Sequence, residues 1–314
     1  MSNKVTVLGS LNVDTILRIP RLPQPGETLK MDDIGVAGGG KGANQAISAA
    51  RSKSHVTFIG GVGNDVQGEM MLKLLKEDGI NINNVAKLNE GTGQAFILLQ
   101  ESGENSIVIY GGANQAIKTT VIQNAMNDIK DSDFLVAQFE TPLEVTNEAF
   151  KLARELNVKT ILNPAPATDI LDELKKNIDL IIPNETEAEL LTGIKVVDED
   201  TCRQAADKLI DQGINNVIIT LGKQGAYYKT KDGICELVPA FKVEAVDTTA
   251  AGDTFIGALV SKLDTSFSNL REAIIYASKA SSLAVQKLGA IPSIPYKGIT
   301  SSCSINRFNF KSRY

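Results

Sequence analysis

The sequence has little of several groups on which common chemistries depend. Its 314 residues include one histidine, His55, and no tryptophan. Chemistry that needs two histidines is excluded, and a carboxylate is the expected group if the chain uses a general base. His55 stands in "KSHVTF" just ahead of a strand pattern, where a lone histidine reads as a surface residue. Cys202, Cys235 and Cys303 are odd in number and far apart, which speaks against a CxxC metal knuckle or a disulfide framework and for reduced thiols. No apolar run reaches 18 residues, and the start "MSNKVTVLGSLNVD" lacks a basic stretch followed by an unbroken apolar core. The expectation is a soluble cytoplasmic protein. Basic residues are in deficit too: the net charge is −5 and the pI is near 5.2, which argues against nucleic acid or an anionic membrane as partner and for a small-molecule ligand. No G-x-G-x-x-G follows any strand pattern, including at Gly60–Gly63, which counts against NAD.

What is present is an alternating pattern. Apolar, β-branched runs recur at Val5–Leu8, Val56–Ile59, Phe134–Ala137, Thr160–Leu162, Leu180–Ile182 and Val217–Leu221, with helix-period stretches such as "PLEVTNEAFKLARELN" and "ETEAELLTG" between the later ones. With 43% apolar residues to fill a core, this predicts an α/β fold: a doubly wound, mainly parallel sheet with helices on both faces. Residues 15–34 and 91–112 break the rhythm. The second reads as two strands around a polar turn at Glu101–Asn105, and the two inserts together could form a small β-sheet lid on one α/β domain of residues 1–295. Residues 296–314, "YKGITSSCSINRFNFKSRY", show no dependable period and are expected to be a poorly ordered tail.

The sharpest chemical signal is "VDTTAAGDTFIGALVSKL", residues 246–263. Phe255, Ile256, Leu259, Val260 and Leu263 share a helical face, so a buried helix starts near Gly252, with the small residues Ala250, Ala251 and Gly252 at its N-terminus. Backbone N–H groups and the helix dipole make such a turn an anion hole for a transferring phosphoryl group. Asp253 in the first turn reads either as a capping residue or as the base that takes the proton of an attacking hydroxyl.

A second signal, "GVAGGGKGAN" at residues 35–44, falls one residue short of a P-loop, because Gly42 stands where a Mg²⁺-binding Ser or Thr would be needed. Its three consecutive glycines suggest close backbone approach to a ligand, with Lys41 and Asn44 in reach. Asn12 and Asp14 in "GSLNVD" are two apart at the end of the first strand pattern and could grip adjacent hydroxyls, or form a turn. Glu140 ends another strand. "PNETEAE" offers Asn184 and Glu187 to a phosphate-bound Mg²⁺, although Glu187 also fits a helix-start acid. "TLGKQG" is a glycine-bearing strand exit suited to a nucleotide.

"GSLNVD", "GGGKGANQA", "LNPAPA", "PNETEAE", "TLGKQG" and "DTTAAGDTFIGA" occur in the order and spacing of the ribokinase-like carbohydrate kinases, and the chain resembles that family's bacterial members from about Val5 to Pro295. The resemblance implies ATP-dependent phosphorylation of D-ribose at its 5-hydroxyl. It implies Asp253 as base, Ala250, Ala251 and Gly252 as the anion hole, and Asn12, Asp14, Gly40, Lys41, Asn44 and Glu140 as sugar ligands. Asn184, Thr220, Gly222, Gly225, Gly252 and Ser278 would line the ATP site, with Glu187 acting on Mg²⁺ through water. A monovalent cation, usually K⁺, would bind at Asp247, Thr249, Ala284, Lys287, Gly289 and Ser293, and the small sheet would serve as lid and as homodimer interface. Other sugar or nucleoside kinases of the family, acting on deoxyribose or fructose, are the nearest alternatives. A non-catalytic sugar-binding protein would need a damaged anion hole, whereas "AAGD" is intact. The ending departs from the family, whose members continue after "SIP" into a closing amphipathic helix.

Overall fold

The computed structural model describes residues 2–296. The expected tail therefore lies outside the described residues, Tyr296 excepted, as does Cys303. The strands in chain order are β1 (Lys4–Leu8), β2 (Asn12–Ile19), β3 (Asp33–Gly39), β4 (His55–Gly63), β5 (Asn81–Leu88), β6 (Gly93–Gln100), β7 (Asn105–Tyr110), β8 (Phe134–Ala137), β9 (Lys159–Leu162), β10 (Leu180–Ile181), β11 (Asn216–Thr220), β12 (Ala226–Thr230) and β13 (Cys235–Val238).

Among the described residues nine of these strands form one sheet, ordered β13-β12-β11-β10-β9-β8-β1-β4-β5. From β5 to β11 neighbours run parallel, and β12 and β13 join antiparallel at one edge. The α/β, doubly wound reading holds, and the antiparallel edge was not anticipated. Nor was β5, whose "NINNVAKL" is half-buried and asparagine-rich and so lacks the continuous apolar run of a central strand.

Period-two alternation divides the core between the two faces of the sheet. Phe134, Val136 and Ile218 point into a cluster with the helices Lys41–Arg51, Val66–Glu77, Ala251–Val260 and Leu270–Ala284. Leu135, Ala137, Val217 and Ile219 point into a second cluster with the helices Leu143–Glu155, Glu185–Thr192 and Glu199–Asp211. Fully buried Phe58, Phe134 and Phe150 each stabilise this arrangement by roughly 1.5–3 kcal/mol through apolar burial.

The two inserts meet in a separate four-stranded sheet, β3-β2-β6-β7. Its strands start earlier and end later than the expected 15–34, because β2 already begins at Asn12 and β3 runs on to Gly39. Asn12 and Asp14 thus belong to the small sheet and not to the first strand, which ends at Leu8. His55 is the exposed first residue of β4, as the sequence suggested.

Candidate active site

Chain order reverses on the two sides of β1. Its neighbour β4 carries the chain outward in one direction, and the chain later returns to lay down β8, β9, β10 and β11 in the other. Ligands of such sheets bind beyond the carboxyl ends of the strands near that reversal. A cleft of about 230 Å³ lies there, and it is lined from the strand exits by Asn163, Asn184 and Thr220, and from facing helices by Lys41, Glu187 and the run Ala250–Asp253.

The helix Ala251–Val260 is entered through Ala250, a non-glycine residue held in the left-handed region at φ 57°. Such a backbone is uncommon outside glycine and survives where its surroundings fix it. Here Thr254 N–H donates to Ala250 O (2.8 Å) and Ala251 N–H turns back to Thr248 O (3.2 Å). Ala251 N–H is thereby engaged, so the donors left at this terminus are those of Gly252 and Asp253. Among the described residues, a Cβ built on Gly252 would meet nothing within 4 Å beyond its chain neighbours and its own helix backbone. The chain's own packing does not demand that glycine.

Asp253 is 8% exposed, and both its oxygens accept hydrogen bonds from the start of the helix Lys41–Arg51. Asn44 Nδ2 donates to Oδ2 and Gln45 Nε2 to Oδ1, each at 2.9 Å. The two helices can come this close because Gly257 has no side chain: a Cβ there would lie 2.3 Å from Gln45 O. Ser48 Oγ adds a bond to Thr254 O at 2.7 Å. Asp253 makes no side-chain cap, so the capping reading does not describe it.

Lys41, Asp14 and Glu187 bear on this carboxylate, and Glu140 bears on Lys41 and Asp14. Burial alone would lower the pKa of Lys41, but Asp253, Glu140 and Glu187 together outweigh it and raise the ammonium above its ordinary value. Asp14 is pushed up to about 6, by burial first and then by the carboxylates of Glu140 and Asp253. Burial also raises Glu187, with Asn184 N–H and Lys41 pulling the other way. Glu187 and Asn184 form a reciprocal capping box, Glu187 N–H to Asn184 Oδ1 (2.8 Å) and Asn184 N–H to Glu187 Oε2 (2.9 Å). The helix-start reading of Glu187 therefore describes this conformation, with Oε1 outside the box.

The glycine loop answers mainly to its own chain. A Cβ on Gly39 would fall 2.2 Å from Asp14 Oδ2, and one on Gly42 would fall 2.5 Å from Ser10 N. Gly40 takes φ 92° as β3 passes into the helix. Glu140 accepts from Lys41 N–H (3.1 Å) and from Ser10 Oγ, which ties this loop to the exit of β8. Asn12 Oδ1 accepts from Asn114 Nδ2 (2.7 Å), leaving the Asn12 amide nitrogen as its donor.

Several expected residues stand outside the cleft lining. Gly222 has φ 50°; Gly225 has φ 117°, and a Cβ there would lie 2.0 Å from Val238 O, so the β12–β13 edge by itself requires a glycine at that position. Ser278 is buried in the helix Leu270–Ala284 and does not line the cleft. Asp247 is buried in part, which would raise it, yet it is held below the usual carboxylate range by donors: Thr249 N–H and Oγ–H to Oδ1 (2.9 and 2.6 Å) and Gly289 N–H to Oδ2 (2.8 Å). Asp247 so joins the segment ahead of the Ala250 turn to the loop carrying Lys287 and Gly289. Lys287 N–H donates to Ala284 O (3.0 Å), and Ser293 Oγ to Ala290 O (2.7 Å).

Sequence reasoning passed over Gln45, Asn114, Asn163 and Thr248. Gln45 and Asn163 lie within motifs quoted above, but an amide in a helix or after a strand carries no signal until its partner is in place.

Residues 2–297 match the family described as pfkB family carbohydrate kinase. The chain is 49% identical to the ribokinase of Staphylococcus aureus (strain COL) over 94% of its own length and 97% of that relative. It is 40% identical to the deoxyribokinase of Salmonella typhi over 81% of its length and 83% of that relative. The structure of Arabidopsis thaliana ribokinase complexed with ribose and ATP superposes with a TM-score of 0.90 at 32% identity, covering 96% of this chain and 98% of that one. The chain belongs to the pfkB family of carbohydrate kinases.

Proposed function

We propose that this chain transfers the γ-phosphoryl group of ATP to the 5-hydroxyl of D-ribose, giving D-ribose 5-phosphate and ADP. The observation that carries the reading is the convergence of a buried carboxylate, Asp253, with Lys41 and the open N–H groups of a helix terminus in one cleft. Asp253 takes the hydroxyl proton as the oxygen reaches phosphorus, and the Gly252 and Asp253 N–H groups meet the charge developing on the transferring oxygens. Ala250 and Ala251 shape that turn. Asn44 Oδ1 is buried with no hydrogen-bond partner among the described residues, and it suits a sugar hydroxyl beside the base. Asn12, Asp14, Gly40, Lys41 and Glu140 complete the sugar side. Asn184, Thr220, Gly222, Gly225 and Ser278 belong to the ATP side in this reading, with Gly225 and Ser278 acting through backbone and packing.

Among the described residues no group of three or more His, Cys, Asp or Glu is placed to hold a metal ion. A divalent ion would therefore be held chiefly by the nucleotide's phosphates and water, which suits Mg²⁺. Glu187 lines the cleft with Oε1 outside its capping box and fits a contact through such water. When bound, Mg²⁺ would neutralise charge on the β- and γ-phosphates. The segment that Asp247 joins to the 284–293 loop fits a K⁺ site at Asp247, Thr249, Ala284, Lys287, Gly289 and Ser293, built mostly from backbone carbonyls. K⁺ would stiffen the turn at Ala250–Gly252.

The small sheet is the lid over the sugar side in this reading, set on a single domain of residues 1–295. Its edge strands β3 and β7 expose Ile34, Val36, Ile107, Val108, Ile109 and Tyr110, an apolar surface suited to homodimer formation. No helix among the described residues is long and apolar enough to cross a membrane, and a cytoplasmic enzyme is proposed. The deoxyribokinase relative favours deoxyribose as the second candidate acceptor. A panel of sugars assayed with ATP and Mg²⁺, in K⁺ and in Na⁺, should show D-ribose as the best acceptor and faster turnover in K⁺. ATP turnover independent of ribose would contradict the reading.

A further inference from the structure

One of the two amides that grip Asp253 has no part in the roles above. Gln45 is 1% exposed, and every polar atom of its amide is engaged. Its Nε2 donates to Asp253 Oδ1 (2.9 Å) and to Asn163 Oδ1 (3.1 Å), while its Oε1 accepts from Gln138 Nε2 (2.7 Å). The directions follow from chemistry. An ionised carboxylate can only accept, so Gln45 must turn its nitrogen towards Asp253, and its oxygen is then left to face Gln138, which must donate. Gln138 is itself fully buried at the exit of β8, and its Oε1 sits where a Cβ on Gly9 would be only 2.3 Å away. Close packing of this kind leaves its amide little room to rotate.

Asn44 differs. Its Nδ2 holds Asp253 Oδ2, but its Oδ1 has no partner among the described residues. One oxygen of Asp253 is thus anchored through Gln45, whose amide is fully engaged, to Gln138 at the exit of β8, whose own Oε1 has no hydrogen-bond partner among the described residues, and the other is shared with Asn44, whose Oδ1 is an open acceptor beside the base.

We propose that Gln45, locked in one orientation by Gln138, is the positioning residue of the catalytic base, fixing Oδ1 so that the sugar proton arrives at Oδ2. The proposal rests on the reading of Asp253 as the base. The charged groups that bear on Asp253 are Lys41 on the facing helix Lys41–Arg51 that also carries Gln45, Asp14 on β2 and Glu187 on the helix Glu185–Thr192, with Glu140 acting on Asp14 and Lys41. Gln45 and Gln138 carry no charge, so replacing them changes hydrogen bonding and leaves that field in place.

The test uses the full-length protein as Gln45→Met, Gln138→Met and Asp253→Asn, with kcat and the KM for ribose followed across pH and with melting temperatures recorded. Gln45→Met keeps the side-chain volume and removes the donor. It should lower kcat about ten- to a hundredfold, as misplacing a catalytic group does, with the KM for ribose changed less than about threefold. The acid limb of the kcat profile should move to higher pH, because a carboxylate that loses an N–H donor keeps its proton to higher pH. Gln138→Met, which does not touch Asp253, should show a smaller loss with the limb displaced in the same direction, and it decides the matter alone if Gln45→Met does not fold. Folded variants with wild-type kcat, or with lowered kcat and an unmoved acid limb, overturn the proposal. An active Asp253→Asn overturns the base reading itself, whereas an inactive Asp253→Asn beside a wild-type Gln45→Met overturns only the role of Gln45.

Discussion

Two glycine-bearing turns face each other across the site, and their glycines serve different ends. In residues 38–42 the missing side chains are needed by the chain itself: Asp14 lies over Gly39, and the backbone of Gly9 and Ser10 lies against Gly42. At residues 250–253 the one glycine has open space where a side chain would be. A run of glycines that resembles a phosphate cradle is here an internal packing device that carries Lys41 and Asn44 to the site, and the single glycine of the other turn leaves room for a ligand.

Substitution at the two glycines separates these roles. Gly42→Ala should cost about 2–3 kcal/mol of folding stability through overpacking and lower the melting temperature markedly, with activity lost in step with folded protein. Gly252→Ala should melt as wild type does, yet lose about tenfold or more in kcat/KM for ATP as the methyl group enters phosphate space. Equal melting temperatures for the two variants would break the comparison. The smallest effect is expected at Asp14. Because its folded pKa is raised to about 6, its stabilising contribution is full below the ordinary carboxylate value and is lost as pH rises through 6. Asp14→Asn should therefore raise the melting temperature of the ligand-free protein by a few degrees above pH 6, with the gain shrinking as pH falls towards 4, while ribose binding is lost. A gain that grows on acidification would contradict the assigned cause.

The sheet was legible in the sequence because buried parallel strands leave short β-branched runs, and Phe134–Ala137 was placed to the residue. Strands half exposed at an edge, such as Asn81–Leu88, leave no such run. Of the candidate site, the Ala250–Asp253 turn could be read because small residues ahead of an apolar helix form a local pattern. The purpose of the glycines at 38–42 could not, since it depends on contacts with residues 9, 10 and 14 that form only in the fold. Glu187 shows the same limit: the sequence fits both a metal-facing acid and a helix-start acid, and only the hydrogen bonds with Asn184 show the capping box that the second reading takes in this conformation.

The most direct test of the central claim, that Asp253 at this helix start is the base for phosphoryl transfer, is the turnover of Asp253→Asn at saturating ribose and ATP. A fall in kcat of about two to four orders of magnitude, with binding of both substrates largely kept, is the predicted result. Turnover within about tenfold of wild type would contradict it.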